Sequence, residues 1–259
     1  MNPHSVRNFP HRTIGSTVHW YRSLPSTNDL ATELGRDAAN AGAAIVADQQ
    51  SAGRGQYGRV WHSRAGAALL MSVIVPASAG MRPVVLTAWA ACAVAAAVER
   101  LCGRRPRLKW PNDLLVNDRK VCGILIEQSH AVVLGVGLNL DQSQEEFQDA
   151  LLPDATSLRL LRDPDAERLV VDEVCRVVLD ALNDGYERCF IETSGLDSEE
   201  SDWRELIGLE GGMVTLQTHD GREFVGRLRT LSFAGLELAT DAVVSTFFPP
   251  EAVRGLRAL

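Results

Sequence analysis

The segment Gly53-Arg54-Gly55-Gln56-Tyr57-Gly58-Arg59, followed by Trp61, constrains the fold of this chain more than any other. Glycine gives up the most backbone freedom on ordering, so three glycines this close disfavour the interior of a helix or strand. Short apolar runs at 43–47 and 68–75 bracket the segment and read as strands. A loop pinned between two strands can turn converging N–H groups toward an anion, with arginines adding fixed positive charge. It can equally be an exposed basic turn. The segment lacks the Gly-Lys-Ser/Thr ending of a P-loop. Its glycines fit the bare Gly-x-Gly-x-x-Gly spacing of a dinucleotide-binding turn. The next element is a strand instead of a helix, however, and no acidic residue lies between Gly58 and Arg82 to hold a ribose.

A second unusual segment, Lys109-Trp110-Pro111-Asn112-Asp113, narrows the choice. Pro111 pushes Trp110 toward an extended conformation. Asn112 carries donors and an acceptor that can pair with a base edge or a sugar. Asp113 offers oxygen to Mg²⁺, directly or through water. The bland alternative is a strand followed by an Asx-type turn. Lys120 then enters the apolar run Val121-Cys122-Gly123-Ile124-Leu125. A lone lysine is by default solvated. Beside Gly123, which lets a ligand approach the backbone, it can instead hold an anion. Gly135-Val136-Gly137-Leu138-Asn139 ends another strand with two glycines and an amide, and Asn139 either reads a purine edge or caps the turn after it.

The remaining pattern places these segments. Strands are expected at 18–22, 43–47, 68–75, 108–110, 114–116, 121–128 and 131–137, with a hairpin turn at Asn117-Asp118. Ser26 and its neighbours start a helix that Gly42 ends. Long helices are expected at 82–101 and 165–191. Polar, acidic residues 194–202 read as a linker. Short β runs come after it at 213–218, 223–231, 236–239 and 243–247, separated by turns at His219-Asp220-Gly221 and Ala234-Gly235. This spacing suggests a small barrel.

A chain of 259 residues can bury a substantial core. Its net charge of −7 argues against bulk affinity for nucleic acid, so the arginines of the glycine loop are a local feature. The five cysteines form no Cys-x-x-Cys pair and sit mostly among apolar residues, which suits buried thiols in a reducing cytosol. The N-terminus has no apolar signal region, and the uncharged run 84–98 falls short of the ~20 residues that span a bilayer. A cytoplasmic protein without membrane or nucleic-acid partners is expected.

Taken together, Ser26-Thr27-Asn28, the run from Gln50 to Arg59 with Trp61, Lys109 to Asp113, Lys120 to Leu125 and Gly135 to Asn139 resemble biotin protein ligases in order and spacing. The resemblance covers about residues 20–257. It implies an α+β fold with a mixed, largely antiparallel sheet, a catalytic domain at 1–203 and a small SH3-like β-barrel at 204–259. It also implies a reaction. Biotin and MgATP give biotinyl-5′-AMP and pyrophosphate, then a lysine of a biotin carboxyl carrier protein takes the biotin and AMP leaves.

The site residues follow from the same resemblance. Ser26, Thr27, Asn28, Gln50, Gly53, Arg54, Gly55, Gln56, Lys120 and Gly123 line the biotin site. Arg54, Arg59, Trp61, Asn112, Lys120 and Asn139 contact ATP or the adenylate. Lys120, Arg54 and Arg59 are the catalytic cations, and Asp113 is the Mg²⁺ ligand. Bringing a carboxylate to a phosphate requires positive charge of this kind. Position 56 departs from the family: it is glutamine where many members carry a third basic residue, which bears on how tightly the loop holds the adenylate. Too few residues precede the first motif for the helix-turn-helix of the bifunctional members, so repressor function is not expected. Two rivals remain, a lipoate ligase and a non-catalytic biotin-binding protein. The sequence leaves monomer and homodimer equally open.

Overall fold

Side-chain alternation sets the architecture. The computed structural model describes residues 2–78, 81–192, 194–240 and 245–259. Eight strands form the first sheet: β1 (Ser5–Asn8), β2 (Thr17–Leu24), β3 (Ala44–Gln50), β4 (Ala68–Val75), β5 (Arg107–Lys109), β6 (Asp113–Val116), β7 (Arg119–Gln128) and β8 (Val132–Asn139). Their order is β1-β2-β3-β4-β8-β7-β6-β5. Only the β2–β3 pair is parallel, joined by the crossover helix α1 (Thr27–Leu34); the other pairs are antiparallel. β4 is buried along its whole length, as an interior strand covered on both faces must be.

The two faces carry different loads. Leu69, Met71, Val73 and Val75 of β4, with Leu134, Val136 and Leu138 of β8, join the main core. Against them pack α2 (Pro83–Cys102) and, after the short helices α3 (Gln144–Asp149) and α4 (Leu158–Leu161), helix α5 (Val171–Tyr186). α2 is long and apolar enough to cross a membrane by length and composition alone. Its apolar girth is explained here by burial between the sheet and other helices. Trp89 of α2 is fully buried, contributing roughly 2–3 kcal/mol by the usual area relation. Its indole N–H donates to the Leu182 carbonyl at 3.1 Å. Gly185 makes the room, since a Cβ there would lie 2.9 Å from the indole. The opposite face carries a smaller cluster around Tyr21, Ala31, Ile45 and Ile74 under α1, and leaves the rest of that face open.

A second sheet comes after α6 (Leu196–Ile207): β9 (Met213–Thr218), β10 (Glu223–Leu231), β11 (Leu236–Ala239), β12 (Ser245–Phe248) and β13 (Val253–Ala258), antiparallel in the order β12-β11-β10-β9-β13. Trp110 ties the sheets together: its Nε1 donates to the Val253 carbonyl at 2.9 Å, and its ring lies 5.8 Å from Trp203 of α6.

Several expectations are corrected. Residues 194–202 are no linker but lead into and form most of α6, which buries Trp203, Leu206 and Ile207. The division expected between 203 and 204 falls inside that helix, and the second sheet begins at Met213. The helix after Ser26 ends at Gly35, with a separate 3₁₀ turn at Ala38–Asn40 before Gly42. The helix expected over 165–191 begins at Val171 and closes in a π turn, Glu187–Ile191. β1, α3, α4 and β13 have no counterpart among the elements expected from sequence. Of the run expected at 243–247, Val243 and Val244 lie outside the described residues. All five cysteines are free, with Cys122, Cys175 and Cys189 buried.

Candidate functional site

The register of the first sheet assembles the site on its open face. Ala47, Leu70, Gly137, Gly123, Asp113 and Lys109 pair in succession, forming one transverse row across β3, β4, β8, β7, β6 and β5. Cross-strand neighbours stand about 4.8 Å apart, so the row measures out a ligand-sized distance. Its middle is a window free of side chains, Gly123 opposite Gly137. The Trp61 indole lies across that window: Cβ atoms on Gly137 and Gly123 would sit 2.8 Å and 3.0 Å from its ring carbons. Trp61 Nε1 is buried without a hydrogen-bond partner.

One end of the face is lined by short hydroxyls and amides. Ser26 is the N-cap of α1 and accepts from the Asp29 N–H. Capping of this kind fixes where the helix starts, which here points its first turn at the sheet. Thr27 N–H and hydroxyl both donate to Gln50 Oε1, at 2.6 Å and 3.0 Å. Ser72 of β4 donates toward Thr27 Oγ1 and Asn28 Oδ1. Asn28 donates to Glu127 Oε2 at 2.6 Å. A Cβ on Gly135 would fall 2.4 Å from Asn28 Oδ1, so this floor position requires glycine. Ser26, Thr27 and Asn28 are buried. A neutral ligand with a polar head suits such a wall, which offers donors and acceptors but no net charge of its own.

A bulge brings Lys120 to the other end. Leu114 pairs with Cys122 but Leu115 pairs with Lys120, so Val121 is an extra residue in β7. Cys122, Ile124 and Ile126 face the helix layer. Plain alternation would send Lys120 there too; the bulge returns it to the side of Gly123, with Nζ 3.2 Å from where a Gly123 Cβ would lie. Lys120 pairs with Asp113 at 2.6 Å and stands 5.5 Å from the Trp61 ring centre. Its backbone is clamped as well: the N–H donates to Asp154 and the carbonyl accepts from Thr156, at 2.7 Å and 2.8 Å. Burial in the layer behind pushes the Cys122 thiol up, which makes it inert.

Two asparagines brace this end. Asn112 donates to the Ile124 carbonyl and its own carbonyl accepts from the Ile124 N–H, joining the Pro111 turn to β7. Asn139 donates to Thr156 and Lys120 carbonyls and accepts from Gln142. Both line the cleft, yet both spend their amides on holding backbone around Lys120.

The glycine loop is a small hairpin over the row. Gly53 accepts from Trp61 N–H at 3.0 Å, and Gly55 donates to Arg59 at 2.7 Å. Arg54 reaches to the hydroxyl–amide end, pairing with Asp29 at 2.7 Å and Glu127 at 2.8 Å. Its charge is thus already countered by two carboxylates. Arg59 lines the cleft on the same hairpin.

These walls enclose a cleft of about 420 Å³. Every site residue read from the sequence lines it except Gly53, which sits beneath the hairpin, where a Cβ would meet Trp61 and Gln50. Sequence reasoning missed Ser72, Glu127 and Asp29 as partners, and the apolar rim of Phe147, Leu151 and Leu152. Phe147 had a local signal: Ser143 and Glu146 form a capping box that starts α3. The Ser143 N–H, donating to Glu146, holds that carboxyl below its usual range. No cluster of three metal-ligating side chains occurs among the described residues. Asp113 offers a carboxylate beside Lys120, at 2.6 Å.

Comparison with known proteins gives a consistent picture. A model of the biotin/lipoate A/B protein ligase family matches residues 20–139. The bifunctional ligase/repressor BirA of Salmonella typhimurium is 35% identical over 241 residues, 88% of this chain and 71% of the relative. The biotin--[acetyl-CoA-carboxylase] ligase of Mycobacterium tuberculosis is 36% identical over 174 residues, 60% of this chain and 62% of that one. The chain spans about half the length of other curated relatives it matches. Among solved structures, the biotin protein ligase from Aquifex aeolicus in complex with biotin and ATP superposes with a TM-score of 0.74 at 24% identity, covering 93% of this chain and 99% of that one.

Proposed function

We infer the activity from one premise: the chain belongs to the biotin protein ligase family. It activates biotin with ATP and passes it to a lysine of a biotin carboxyl carrier domain. The observation that carries this reading is the polarity of the cleft. A hydroxyl–amide wall, whose charged neighbours Arg54, Asp29 and Glu127 pair with one another, stands at one end, and Lys120 with Asp113 at the other, separated by the Gly123–Gly137 window. That layout suits a ligand whose polar ureido head and reacting carboxylate lie at opposite ends.

In the first step a biotin carboxylate oxygen attacks the α-phosphorus of ATP. The bond from that phosphorus to its bridging oxygen breaks, and pyrophosphate leaves. Two anions must approach, and Lys120 stands where its charge can offset their repulsion and the charge that grows in the transition state. Clamped backbone and an Asp113 partner keep the ammonium in place, so little reorganisation is needed. In the second step the acceptor ε-amine attacks the acyl carbon, AMP leaves, and the amine proton passes to solvent.

Ser26, Thr27, Asn28 and Gln50 hold the biotin head in this reading. Arg54, Gly55 and Gln56 close over it. Arg59, Trp61, Asn112 and Asn139 border the nucleotide, the asparagines by bracing the wall. Asp113, whose carboxylate also pairs with Lys120, would hold Mg²⁺ beside the phosphates, directly or through water, where the ion would offset their charge. The hairpin excludes water from an acyl-adenylate that water would hydrolyse.

The test is incubation with ATP, biotin and a biotin-acceptor domain, followed by avidin blotting. Labelling of the acceptor lysine is expected. Transfer of lipoate and not biotin would overturn the reading, as would biotin binding without any transfer.

A further inference from the structure

The hairpin over the cleft turns through Tyr57 at φ 60° and Gly58 at φ 74°, both left-handed. The Arg59 N–H donates to the Gln56 carbonyl across them. Such two-residue turns favour Asn-Gly, and a tyrosine in the first position is held against its backbone preference. Its ring makes contacts that no asparagine could. The Arg254 guanidinium carbon lies 5.0 Å from the ring centre, and the His219 ring lies 6.1 Å away at 57°.

Both contacts come from the second sheet. Arg254 is on β13, and His219 comes just after β9, where its N–H donates to Ala252 at 3.1 Å. Val253, between them, accepts from Trp110. One strand end therefore touches both the core side of the Lys109–Asp113 segment, through Trp110, and the hairpin tip, through Tyr57. Gln56 adds no charge at this tip. Tyr57 itself does not line the cleft.

We propose that Tyr57 is a positioning residue that clasps the hairpin to the rim of the second sheet, so that Arg254 and His219 set how long the acyl-adenylate is retained. The proposal rests on the ligase reading. The hairpin then has two holds. Arg54 ties its base to Asp29 and Glu127, and the Tyr57 ring ties its tip to Arg254. Opening breaks the second hold without touching Lys120, so the rim governs release and leaves bond making alone.

The experiment compares the native chain with Tyr57→Asn, Tyr57→Phe, Arg254→Ala and the Tyr57→Asn/Arg254→Ala pair. Asparagine relieves the turn while removing the ring; phenylalanine keeps the ring. Two rates are read: biotin-dependent ATP–pyrophosphate exchange, and AMP production without acceptor, which reports escaped adenylate. Exchange at saturating substrate stays within error in all variants. AMP production rises about two- to fivefold in Tyr57→Asn and in Arg254→Ala, the span of an exposed cation–π contact. The pair leaks no faster than either single variant, and Tyr57→Phe behaves as the native chain. Equal leakage in all variants would overturn the clasp, as would full additivity in the pair. Absence of exchange in the native chain sinks the ligase reading instead. The clasp is then read by trypsin cleavage after Arg54 and Arg59, which must be faster in Tyr57→Asn than in Tyr57→Phe; equal cleavage overturns it.

Discussion

Lys120 and Arg54 are both cations bordering one cleft, and they are held by opposite strategies. Lys120 sits on a strand, its backbone bonded on both sides and its ammonium paired with a carboxylate only 17% exposed. Arg54 rides a hairpin and reaches two carboxylates that are 56% and 31% exposed. Exposed pairs of the second kind contribute little and break readily, about 0–1 kcal/mol each. The floor of the site is therefore built to stay, and its cover is built to leave. Geometry for bond making belongs on the floor; control of entry and escape belongs to the cover.

Lys120→Ala strikes the floor and should do the most damage. We expect adenylate formation to fall about 10²–10³-fold with the melting temperature nearly unchanged. Pyrophosphate release at the native rate would show that its charge is not used. Gly135→Ala is next. Its methyl would press on Asn28, and a misplaced biotin wall should raise the KM for biotin about tenfold or more, with the KM for ATP moving little. An equal rise in both would mean that the floor is not divided as described. Glu127→Gln weakens the cover at its base. A change of a few-fold, at most about fivefold, is expected in the rate of adenylate escape. A loss in exchange rate as large as that of Lys120→Ala would erase the distinction between floor and cover.

The smallest effect on activity should come from Glu199→Gln, remote from both. Burial raises the Glu199 carboxyl above its ordinary value, and one of its oxygens has no partner. As pH rises past the ordinary carboxylate range, the unfolded chain gives up this proton before the folded one does. Stability therefore declines until the folded group also ionises. Thermal melts from pH 4 to 8 should show the variant gaining on the native chain as pH rises, at unchanged exchange rate. Parallel curves would mean that Glu199 does not titrate differently in the two states.

What the sequence disclosed was local. β9, β10 and β11 lie where alternation put them, and Asn117 and Asp118 adopt the positive φ of the hairpin turn expected there. Glycines 123, 135 and 137 stood out as points of close approach, and all three border the cleft. What stayed hidden was long-range. Glu127 is 73 positions from Arg54, and no spacing rule joins them. α6 passed for a linker because the unbroken polar run from Asp197 to Asp202 masks Leu196, Trp203, Leu206 and Ile207, whose burial is evident only once the second sheet is in place. Asn112 and Asn139, expected to contact the nucleotide, line the cleft with amides that face backbone, a choice set by the fold around them.

The extra residue at Val121 makes the length of the β6–β7 hairpin a chemical quantity. Delete one residue between Asn117 and Val121, and the strand would fall back into plain alternation. The lysine would then be aimed into the apolar layer under α2, where an unpaired ammonium is costly to bury. Asn117 and Asp118 in that turn must hold positive φ, and Asp118 also pairs with Arg107. Its residue count is equally fixed, so shortening the turn would silence the site as thoroughly as removing the ammonium itself.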